Sequence, residues 1–317
     1  MKFFQKKNIL ITGGTGSIGS RLADYLIKQT STKKIVIFSR DEQKHFEMEK
    51  KFNNPKVRYL IGDVRDRSRL DLALRDIDLV FHTAAQKHVG LSEYNPQECI
   101  KTNIIGTQNV IESCIFNNVK KFLLISTDKA VNPINLYGAS KLVAEKITIN
   151  ANNLSGKNGC TFAVARYGNV IGSKGSVVPF FLKLIKEKKT IPLTDKKMTR
   201  FWISYDQAVK FIINSMQKAN AGDIFVPKLK SQKIIDLIKL LSKKSQVKII
   251  GVKPGEKIHE ELLTHEESCK AKQLNNYYLV NNNFKIKNKT FDYRSDNFLM
   301  DKKEEKKLYN SIVKTFF

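Results

Sequence analysis

Three segments of the 317-residue chain carry residue types that bind nucleotides or move protons. The first runs from Thr12 to Gly19, reads TGGTGSIG and directly follows an apolar stretch. Glycines at this spacing permit a tight turn, a close approach of backbone to pyrophosphate, and close packing of the next helix, whose N-terminus attracts the anion. The segment therefore predicts a dinucleotide-binding loop. The contacts expected here come from Gly13, Thr15, Gly16, Ser17, Ile18 and Gly19.

The second segment contains Tyr137 and Lys141, which are four positions apart and would share one face of a helix. Chance produces this spacing in a lysine-rich chain, so the position of the pair carries the argument. The pair follows a strand-like run by about ten residues, which places it at the crevice where open α/β sheets bind ligands. An ammonium group nearby stabilises phenolate and lowers the tyrosine pKa, which would make Tyr137 a general base.

The third segment, Ser126 to Lys129, lies at the end of that same strand-like run. Asp128 and Lys129 have two interpretations. They form either a surface ion pair, which contributes little to stability, or an acid and a base with separate catalytic tasks. The local sequence leaves both interpretations open.

The second strand-like run ends where an NAD-binding protein places an acidic residue for the ribose 2′-hydroxyl. Here the chain has Ser39 and Arg40, with Lys44 one turn later, and these suit a 2′-phosphate. We therefore expect NADP, while Asp41 keeps NAD open as an alternative. Further expected contacts are Asp63 and Val64 near the adenine and Ala84 and Ala85 near the nicotinamide ribose, with a helix cap and small packing residues as the alternative.

Short apolar runs alternate with helical periods through the first half of the chain. Between the first two runs, Ile18, Leu22, Ala23 and Leu26 recur on one helical face. Such alternation predicts right-handed βαβ crossovers, and hence an α/β fold with a Rossmann-type, doubly wound parallel sheet. The predicted strands are Asn8–Thr12, Lys34–Phe38, Val57–Ile61, Leu79–His82, Lys121–Ser126 and Phe162–Arg166.

The alternation fades after Gly168, which predicts two domains. Residues 1–168 would bind the dinucleotide, part of 200–225 would return to that domain, and 169–317 would form a smaller α/β substrate domain over the carboxyl edge of the sheet. The fold of the chain from Phe284 onward cannot be predicted from its Lys-, Asn- and Asp-rich sequence.

The formal net charge of +26 is the most unusual feature of the composition. Only 10 of the 56 basic residues are Arg, and the lysines are scattered rather than clustered, whereas nucleic-acid recognition depends strongly on Arg. We therefore expect a solvated surface and no specific nucleic-acid binding. The chain lacks a signal-peptide pattern and an apolar run long enough to span a membrane, which favours the cytoplasm. Its four cysteines show no metal-ligand spacing, so neither a metal site nor a disulfide is expected.

Together these motifs resemble the extended short-chain dehydrogenases/reductases, and more narrowly their C5-inverting UDP-N-acetylglucosamine 4,6-dehydratases of bacterial surface-glycan synthesis. The resemblance covers about residues 8–261, and Thr-Asp-Lys at 127–129 matches this subfamily where dehydratases of ordinary nucleotide hexoses have Thr-Asp-Glu. The segments that carry the resemblance are Thr12–Gly19, Phe38–Glu42, Ile61–Asp66, Lys87–Val89, Glu93–Pro96, Asn103–Thr107, Ser126–Ala130 with Tyr137 and Lys141, Arg166–Val170, Met198–Phe201 and Gly255–Lys257.

The resemblance implies a reaction sequence and roles for five residues. Tyr137, tuned by Lys141 and assisted by Thr127, would deprotonate the 4-hydroxyl while NADP, regenerated in each turnover, accepts the C4 hydride. Lys129 would then remove the C5 proton, Asp128 would protonate the departing 6-hydroxyl, and the hydride would return to C6. Protonation of C5 from the opposite face would give UDP-2-acetamido-2,6-dideoxy-β-L-arabino-hexos-4-ulose.

The resemblance also implies binding residues and an assembly. Lys87 and Asn103 would contact the cofactor, Lys87 also the substrate, and the helices around 103–116 and Tyr137 would form the contact of a dimer or hexamer. Lys253 stands where the family commonly has Arg, which keeps the charge but loses bidentate geometry. The residues implied to hold the uridine diphosphate are Asn169, Val177, Thr194, Met198, Arg200, Lys253 and Glu256; for Val177 and Met198 a core position is the alternative.

Three other functions remain open from sequence. A UDP-hexose 4-epimerase would use Tyr137 and Lys141 but would not need the Asp128–Lys129 pair. A bifunctional dehydratase/epimerase of the N-acetylfucosamine branch is suggested by the stretch Tyr293–Asn297, whereas Tyr137 points towards the pseudaminic acid type. A non-catalytic NADP-sensing protein would keep the glycine loop yet tolerate loss of Tyr137.

Overall fold

A computed structural model describes residues 2–173, 175–286 and 290–316. The strands of the described residues are β1 (Asn8–Thr12), β2 (Lys34–Ser39), β3 (Val57–Ile61), β4 (Leu79–His82), β5 (Lys121–Thr127), β6 (Thr161–Tyr167), β7 (Asn169–Val170), β8 (Ile191–Leu193), β9 (Thr199–Ile203), β10 (Ile224–Pro227), β11 (Ser231–Lys233), β12 (Val247–Ile249), β13 (Glu261–Leu263), β14 (Ala271–Gln273), β15 (Tyr277–Val280) and β16 (Tyr293–Arg294).

The helices pack on both faces of the sheet and are joined to it by short connections. They are α1 (Ser17–Gln29), α2 (Glu42–Phe52), α3 (Arg67–Ala73), α4 (Val89–Tyr94), α5 (Pro96–Ile100), α6 (Gly106–Phe116), α7 (Leu136–Leu154), α8 (Val177–Lys186), α9 (Tyr205–Lys218), α10 (Ile234–Leu241), α11 (His265–Cys269) and α12 (Lys302–Phe316), with 3₁₀ turns at Lys2–Phe4 and Asp128–Ala130 and a π-helical segment at Lys101–Ile105.

The main sheet has nine strands in the order β14-β15-β10-β6-β5-β4-β1-β2-β3. The pairs from β10 to β3 are parallel, whereas β15 pairs antiparallel with β10 and β14. All six predicted strands are present, three of them with the predicted bounds, and the apolar runs of the inner strands are buried on both faces, as parallel strands require, whereas the edge strand β3 is only partly buried. The predicted α/β, doubly wound fold is confirmed.

The chain after residue 168 contributes more to this sheet than the sequence indicated. Besides β10, which begins at the end of the range 200–225, β14 and β15 add the antiparallel edge. Antiparallel strands can be joined by short turns without a crossover helix. The strand–helix alternation on which the prediction relied is therefore absent here, and β14 and β15 were not predicted. The remaining strands form three small sheets, and β8 and β9 contribute side chains to a separate apolar core that includes Val178, Phe181, Leu193, Trp202 and Leu237.

A buried ion-pair network fixes the active-site helix against the C-terminal half. Arg166 on β6 is 1% exposed; it pairs with Glu145 of α7 at 2.6 Å and with Glu267 of α11 at 2.7 Å. It also donates to the carbonyl of Leu262. A buried cation is stable only when it is paired and hydrogen-bonded. Through Arg166, α7 is therefore linked to residues 262 and 267 in the C-terminal half of the chain.

Within the described residues, no helix combines the length and apolar character that a membrane crossing needs.

Candidate active site

The predicted site residues converge on three adjoining cavities at the carboxyl ends of β1, β2, β4, β5 and β6. A cavity of about 590 Å³ lies between the glycine loop and Tyr137, and it shares Lys129 and Asn169 with a second of about 580 Å³. A third, of about 550 Å³, continues from the glycine loop to Arg40 and Asp63. The edge where the carboxyl ends of parallel strands meet is the usual ligand site of open α/β sheets.

The glycine loop leaves no room for a side chain at Gly13 or Gly19. Gly13 has φ +62°, and a Cβ there would lie 2.8 Å from the Cα and N of Ala84. At Gly19 a Cβ would lie 2.6 Å from the carbonyl oxygen of Gly13. Helix α1 starts at Ser17 immediately after the loop, so that its N-terminal N–H groups face the cavity. The loop and helix therefore fit a pyrophosphate, as predicted from the sequence.

The third cavity contains the residues that would distinguish NADP from NAD. The guanidinium of Arg40 is more than half exposed and lies 3.6 Å from a carboxylate oxygen of Asp63. Asp41, the residue that kept NAD open, accepts a hydrogen bond from the backbone N–H of Lys44 as the N-cap of α2 and also pairs with the Lys44 ammonium. The hydrogen bond from Lys44 lowers the pKa of Asp41. Both Arg40 and Asp41 line the cavity, but the carboxylate of Asp41 is already bonded to Lys44 of its own helix.

Asp128 and Lys129 lie in a buried cluster of charges rather than on the surface. The Lys129 ammonium is 3.0 Å from Asp128 and 3.1 Å from Glu260, and Glu260 lies 3.7 Å from the Arg200 guanidinium. Asp128 is fully buried, the side chain of Glu260 is 2% exposed and that of Lys129 is 22% exposed. The surface-pair interpretation therefore does not fit, because an exposed pair would remain solvated.

The protonation of the cluster follows from its burial and its charges. Burial raises the pKa of Asp128 above its usual range, and the Lys129 charge only partly offsets this. For Lys129, burial alone would lower the pKa, but the charges of Asp128 and Glu260 outweigh it and raise the pKa above the usual range. For Glu260, burial would raise the pKa, but Lys129 and Arg200 lower it. Asp128 is therefore the carboxyl group most readily protonated, and Lys129 is a strong base once neutral.

Tyr137 lies at the wall of the first cavity, but its environment differs from the expected one. Burial raises the pKa of Tyr137 to about 12, and the charge that opposes this rise is that of Lys129, assisted by Thr127. Lys141 is buried, donates to the carbonyl of Ile125 at 2.7 Å, and burial lowers its pKa to about 8. The predicted lowering of the Tyr137 pKa by Lys141 is thus not seen, because the charge that acts on Tyr137 is that of Lys129.

Asn103 was expected to contact the cofactor, but the structure buries it behind the cavity wall. Its side chain accepts from the N–H of Gln86 at 2.7 Å and donates to the Gln86 carbonyl and to Ser140. The π-helical segment that contains it orients this side chain towards the loop that bears Lys87. Asn103 therefore holds the loop between β4 and α4, while Lys87 lines the first cavity.

The second cavity contains the residues implied to hold uridine diphosphate. Thr194 donates to Glu256 at 2.9 Å, and Lys253 is exposed at the rim. Arg200 differs from expectation, because it is 7% exposed and its guanidinium donates to the carbonyls of Thr199, Lys257 and Ile258. Its charge thus acts on the Glu260 cluster. The expected residues lining this cavity are Asn169, Val177, Thr194, Met198, Arg200, Lys253 and Glu256.

Several buried polar atoms around the cavities have no hydrogen-bond partner among the described residues. They are Ser126 Oγ, Asp128 Oδ2, Asn169 Oδ1, Ser176 Oγ and Glu260 Oε2. Buried polar atoms are nearly always paired in folded proteins. A cluster of unpaired ones at a cavity therefore fits a ligand rich in hydroxyl and amide groups.

Comparison with known proteins identifies the family. The model of the polysaccharide biosynthesis protein family matches residues 9–282. The chain belongs to this family. The resemblance that the motifs carried is thereby confirmed, and the match covers the glycine loop, the Tyr137–Lys141 pair and the Asp128–Lys129 pair.

Three relatives illustrate the range of this family. A UDP-N-acetylglucosamine 4,6-dehydratase (inverting) of Campylobacter jejuni is 52% identical over 291 residues, which are 92% of this chain and 87% of that protein. A UDP-glucose 4-epimerase of Rickettsia bellii is 42% identical over 284 residues, 87% of this chain and 83% of that one. The crystal structure of Pen from Bacillus thuringiensis superimposes with a TM-score of 0.93 at 40% identity and covers 99% of both chains.

Sequence reasoning found most of this site but missed Glu260. It lies between the quoted segment Gly255–Lys257 and strand β13, and its neighbour Glu261 is also acidic. Its partner Lys129 is far away in the chain, so no local motif joins the two residues. The available signal for a buried Glu260 was the alternation over Glu260, Glu261 and Leu262, which places Glu260 and Leu262 on the inward side.

Proposed function

We propose that this protein is an NADP-dependent UDP-N-acetylglucosamine 4,6-dehydratase, a hydro-lyase that inverts C5. The observation that carries the proposal is the buried Asp128–Lys129 pair beside Tyr137 in one cavity. A 4-epimerase needs only the tyrosine and the cofactor, and would derive no benefit from an acid and a base buried next to it. The name of the Campylobacter relative supports the same reaction and substrate.

Tyr137 would act first, as the base that takes the proton of the 4-hydroxyl. Thr127, at the end of β5, would hold that oxygen and interacts with Tyr137 in the structure. Bound NADP supplies the hydride acceptor at C4 and the hydride donor at C6. Lys141, held by the carbonyl of Ile125, would orient the cofactor ribose beside Tyr137.

Elimination of water would be the task of the Asp128–Lys129 pair. Once C4 is a ketone, the C5 proton is acidic, and neutral Lys129 would accept it. Asp128, whose pKa burial raises, would donate its proton to the departing 6-hydroxyl. Oδ2 of Asp128, which has no hydrogen-bond partner among the described residues, would make this donation.

The uridine diphosphate would lie in the second cavity, which adjoins the first at Lys129 and Asn169. Lys253 and Lys87 would supply positive charge to the diphosphate, and Asn169 would donate its side-chain amide. Residues 1–168 would therefore bind the dinucleotide and residues 169–317 the UDP-sugar, while β10, β14 and β15 of the second range complete the main sheet. The product would serve amino-sugar synthesis of the pseudaminic acid type.

A proton NMR time course with UDP-N-acetylglucosamine tests the proposal directly. We expect a new C6 methyl doublet and the couplings of an inverted C5. Conversion to UDP-N-acetylgalactosamine without a methyl signal would show a 4-epimerase instead, and further change at C3 or C5 would show the bifunctional dehydratase/epimerase. No change with either cofactor form would contradict the proposal.

The cofactor preference gives a separate prediction. Arg40→Asp is expected to weaken NADP binding by at least about tenfold more than NAD binding, because it replaces a charge-assisted contact to the 2′-phosphate by repulsion. Titration calorimetry with both cofactors measures this difference. Arg58→Asp, on the exposed side of β3, serves as the matched control for a change of two charges. Equal losses of NADP and NAD affinity would contradict NADP preference.

Assembly gives another prediction. Exposed apolar side chains occur on or next to the two neighbouring helices α6 and α7, at Ile105, Phe116 and Val143. Burying them between copies would remove apolar surface from water. We therefore expect a dimer or larger oligomer in light scattering, and Val143→Asp should shift it towards monomer. A monomer at working concentration in the parent protein would contradict this prediction.

A further inference from the structure

Glu260 has no role in the reaction sequence derived above, yet it is among the most deeply buried carboxylates of the site. Its Oε1 lies 3.1 Å from Lys129 Nζ, while Asp128 Oδ1 lies 3.0 Å from that same nitrogen. Its Oε2 is buried without a hydrogen-bond partner among the described residues, and the side chain lines the second cavity. Lys129 is therefore held between two carboxylates, of which only one was anticipated.

The backbone of Glu260 is fixed from the C-terminal part of the chain. Its N–H donates to Ser295 Oγ at 2.9 Å, and its carbonyl accepts from the Ser295 N–H at 2.8 Å. Ser295 Oγ also bonds Thr199 Oγ1 at 2.6 Å, next to Arg200. Ser295 belongs to the stretch Tyr293–Asn297, which thereby acquires a structural function at the active site. The carboxylate of Glu260 thus has a defined position rather than a choice of rotamers in solvent.

We infer that Glu260 is a positioning residue that fixes Lys129 Nζ opposite Asp128 and stabilises the lysine in its protonated form after it has taken the C5 proton. This inference rests on the proposed function for the identity of the proton donor, but its structural basis is the geometry of Lys129, Asp128 and Glu260 alone. Glu260 itself neither gives nor takes a proton.

The proton balance shows why a second carboxylate is useful. At rest the cluster holds Lys129 as ammonium and Asp128 as carboxylate. Passing one proton from Nζ to Asp128 gives a neutral amine and a carboxylic acid. The amine then takes the C5 proton as the C5–H bond breaks, and Asp128 gives its proton to the 6-hydroxyl as the C6–O bond breaks. Water leaves, the ammonium–carboxylate pair is restored, and no outside acid or base is consumed.

Glu260 favours the transfer of the C5 proton to the neutral amine, because its negative charge stays in place throughout and stabilises the ammonium relative to that amine. A carboxylate 3.1 Å from the amine increases the proton affinity of that amine, which strengthens it as a base towards carbon. The other charged or titratable groups facing the cluster are Asp128, Arg200 of β9, Tyr137 of α7 and Lys257, whose ammonium donates to the carbonyl of Val131. Of the two carboxylates beside Lys129, only Glu260 keeps its charge in both proton arrangements.

The test measures the proton affinity of Lys129 without substrate or added cofactor. The purified protein is pulsed with acetic anhydride across a pH series, and mass spectrometry gives the acetylation of Lys129 relative to exposed Lys146. We expect Lys129 in the parent to resist acetylation through about pH 10. Glu260→Gln should move the onset of acetylation down by about 1 pH unit or more, because one of the two charges that hold the ammonium is gone.

Two further variants complete the test. Glu261→Gln changes the adjacent carboxylate, which accepts from Asn132 and does not contact Lys129, and should leave the onset unchanged. Glu260→Asp keeps the charge but moves it away by one methylene, so Lys129 should begin to be acetylated at an intermediate pH. If Glu260→Gln does not fold, this variant alone decides the test. An onset in Glu260→Gln, or failing that in Glu260→Asp, equal to that of the parent would overturn the inference.

Kinetics provide a second measurement that a merely structural role would not produce. Glu260→Gln should lower kcat about ten- to a hundredfold with KM nearly unchanged, since displacing a catalytic group by about 1 Å costs up to this factor. Glu260→Asp should recover part of kcat. If the parent protein proves not to be a dehydratase, the acetylation result still shows whether Glu260 holds Lys129. A failure of the proposed function can therefore be told apart from a failure of the inference about Glu260.

Discussion

Tyr137→Phe is expected to abolish dehydration almost completely, with kcat falling about 10³-fold or more, because the change removes the group that we propose deprotonates the 4-hydroxyl in the first step. The steps that follow C4 oxidation should be lost as well. Without the C4 ketone the C5 proton is not acidic, so neither the C6 methyl signal nor deuterium at C5 should appear in proton NMR in D₂O.

The control for this variant is the removal of a hydroxyl elsewhere. Tyr309→Phe changes a tyrosine of α12 that is 38% exposed and should leave kcat within about twofold. Since Tyr137→Phe deletes one oxygen from a cavity wall, its thermal unfolding should remain close to that of the parent. Dehydration by Tyr137→Phe at more than about a tenth of the parent rate would assign the first proton transfer to another group.

The glycine loop and the first six strands could be predicted from sequence because their determinants are local. An apolar β-branched run, a glycine turn and an amphipathic helix follow one another within Asn8–Gln29, and the structure retains each with its bounds nearly unchanged. Tyr137 and Lys141 are likewise fixed by helical spacing along α7. Where neighbours in sequence determine the geometry, local patterns predicted the fold and brought the candidate residues to one edge of the sheet.

The charges of the site could not be predicted, because their partners lie far along the chain. Lys129 meets Glu260 only after β13 has folded back beside the turn that follows β5. Arg200 was expected to hold diphosphate, but its donors are taken by backbone carbonyls of 199, 257 and 258. A sequence shows which residues carry charge, whereas burial and long-range pairing decide what the charge does.

Lys141 shows the same limit within a single helix. Spacing correctly placed it on the side of Tyr137, and from spacing alone its ammonium should have lowered the tyrosine pKa. Burial instead lowers the Lys141 pKa to about 8, and the Lys141 ammonium donates a hydrogen bond to the backbone carbonyl of Ile125. Desolvation depends on how much protein covers a group, which a residue pattern does not contain.

The second large effect concerns Lys129, and the structure dictates which variants to use. Lys129→Met removes the base but also leaves Asp128 and Glu260 buried without their cation, which costs stability on the order of 3 kcal/mol. Lys129→Arg keeps the charge between the two carboxylates, yet a guanidinium cannot act as a base at neutral pH. We expect both variants to lose dehydration by about 10²-fold or more, while only Lys129→Met unfolds at a clearly lower temperature.

The charge-preserving variant therefore separates catalysis from structure. In Lys129→Arg, substrate should still bind by calorimetry, but solvent deuterium should no longer enter C5, because exchange at that carbon needs a base. Lys146→Met, an exposed position on α7, controls for the loss of a lysine. If Lys129→Arg forms the C6 methyl product at more than about a tenth of the parent rate, a deficit below ~1.4 kcal/mol, then Lys129 is not the C5 base and its position between Asp128 and Glu260 serves stability alone.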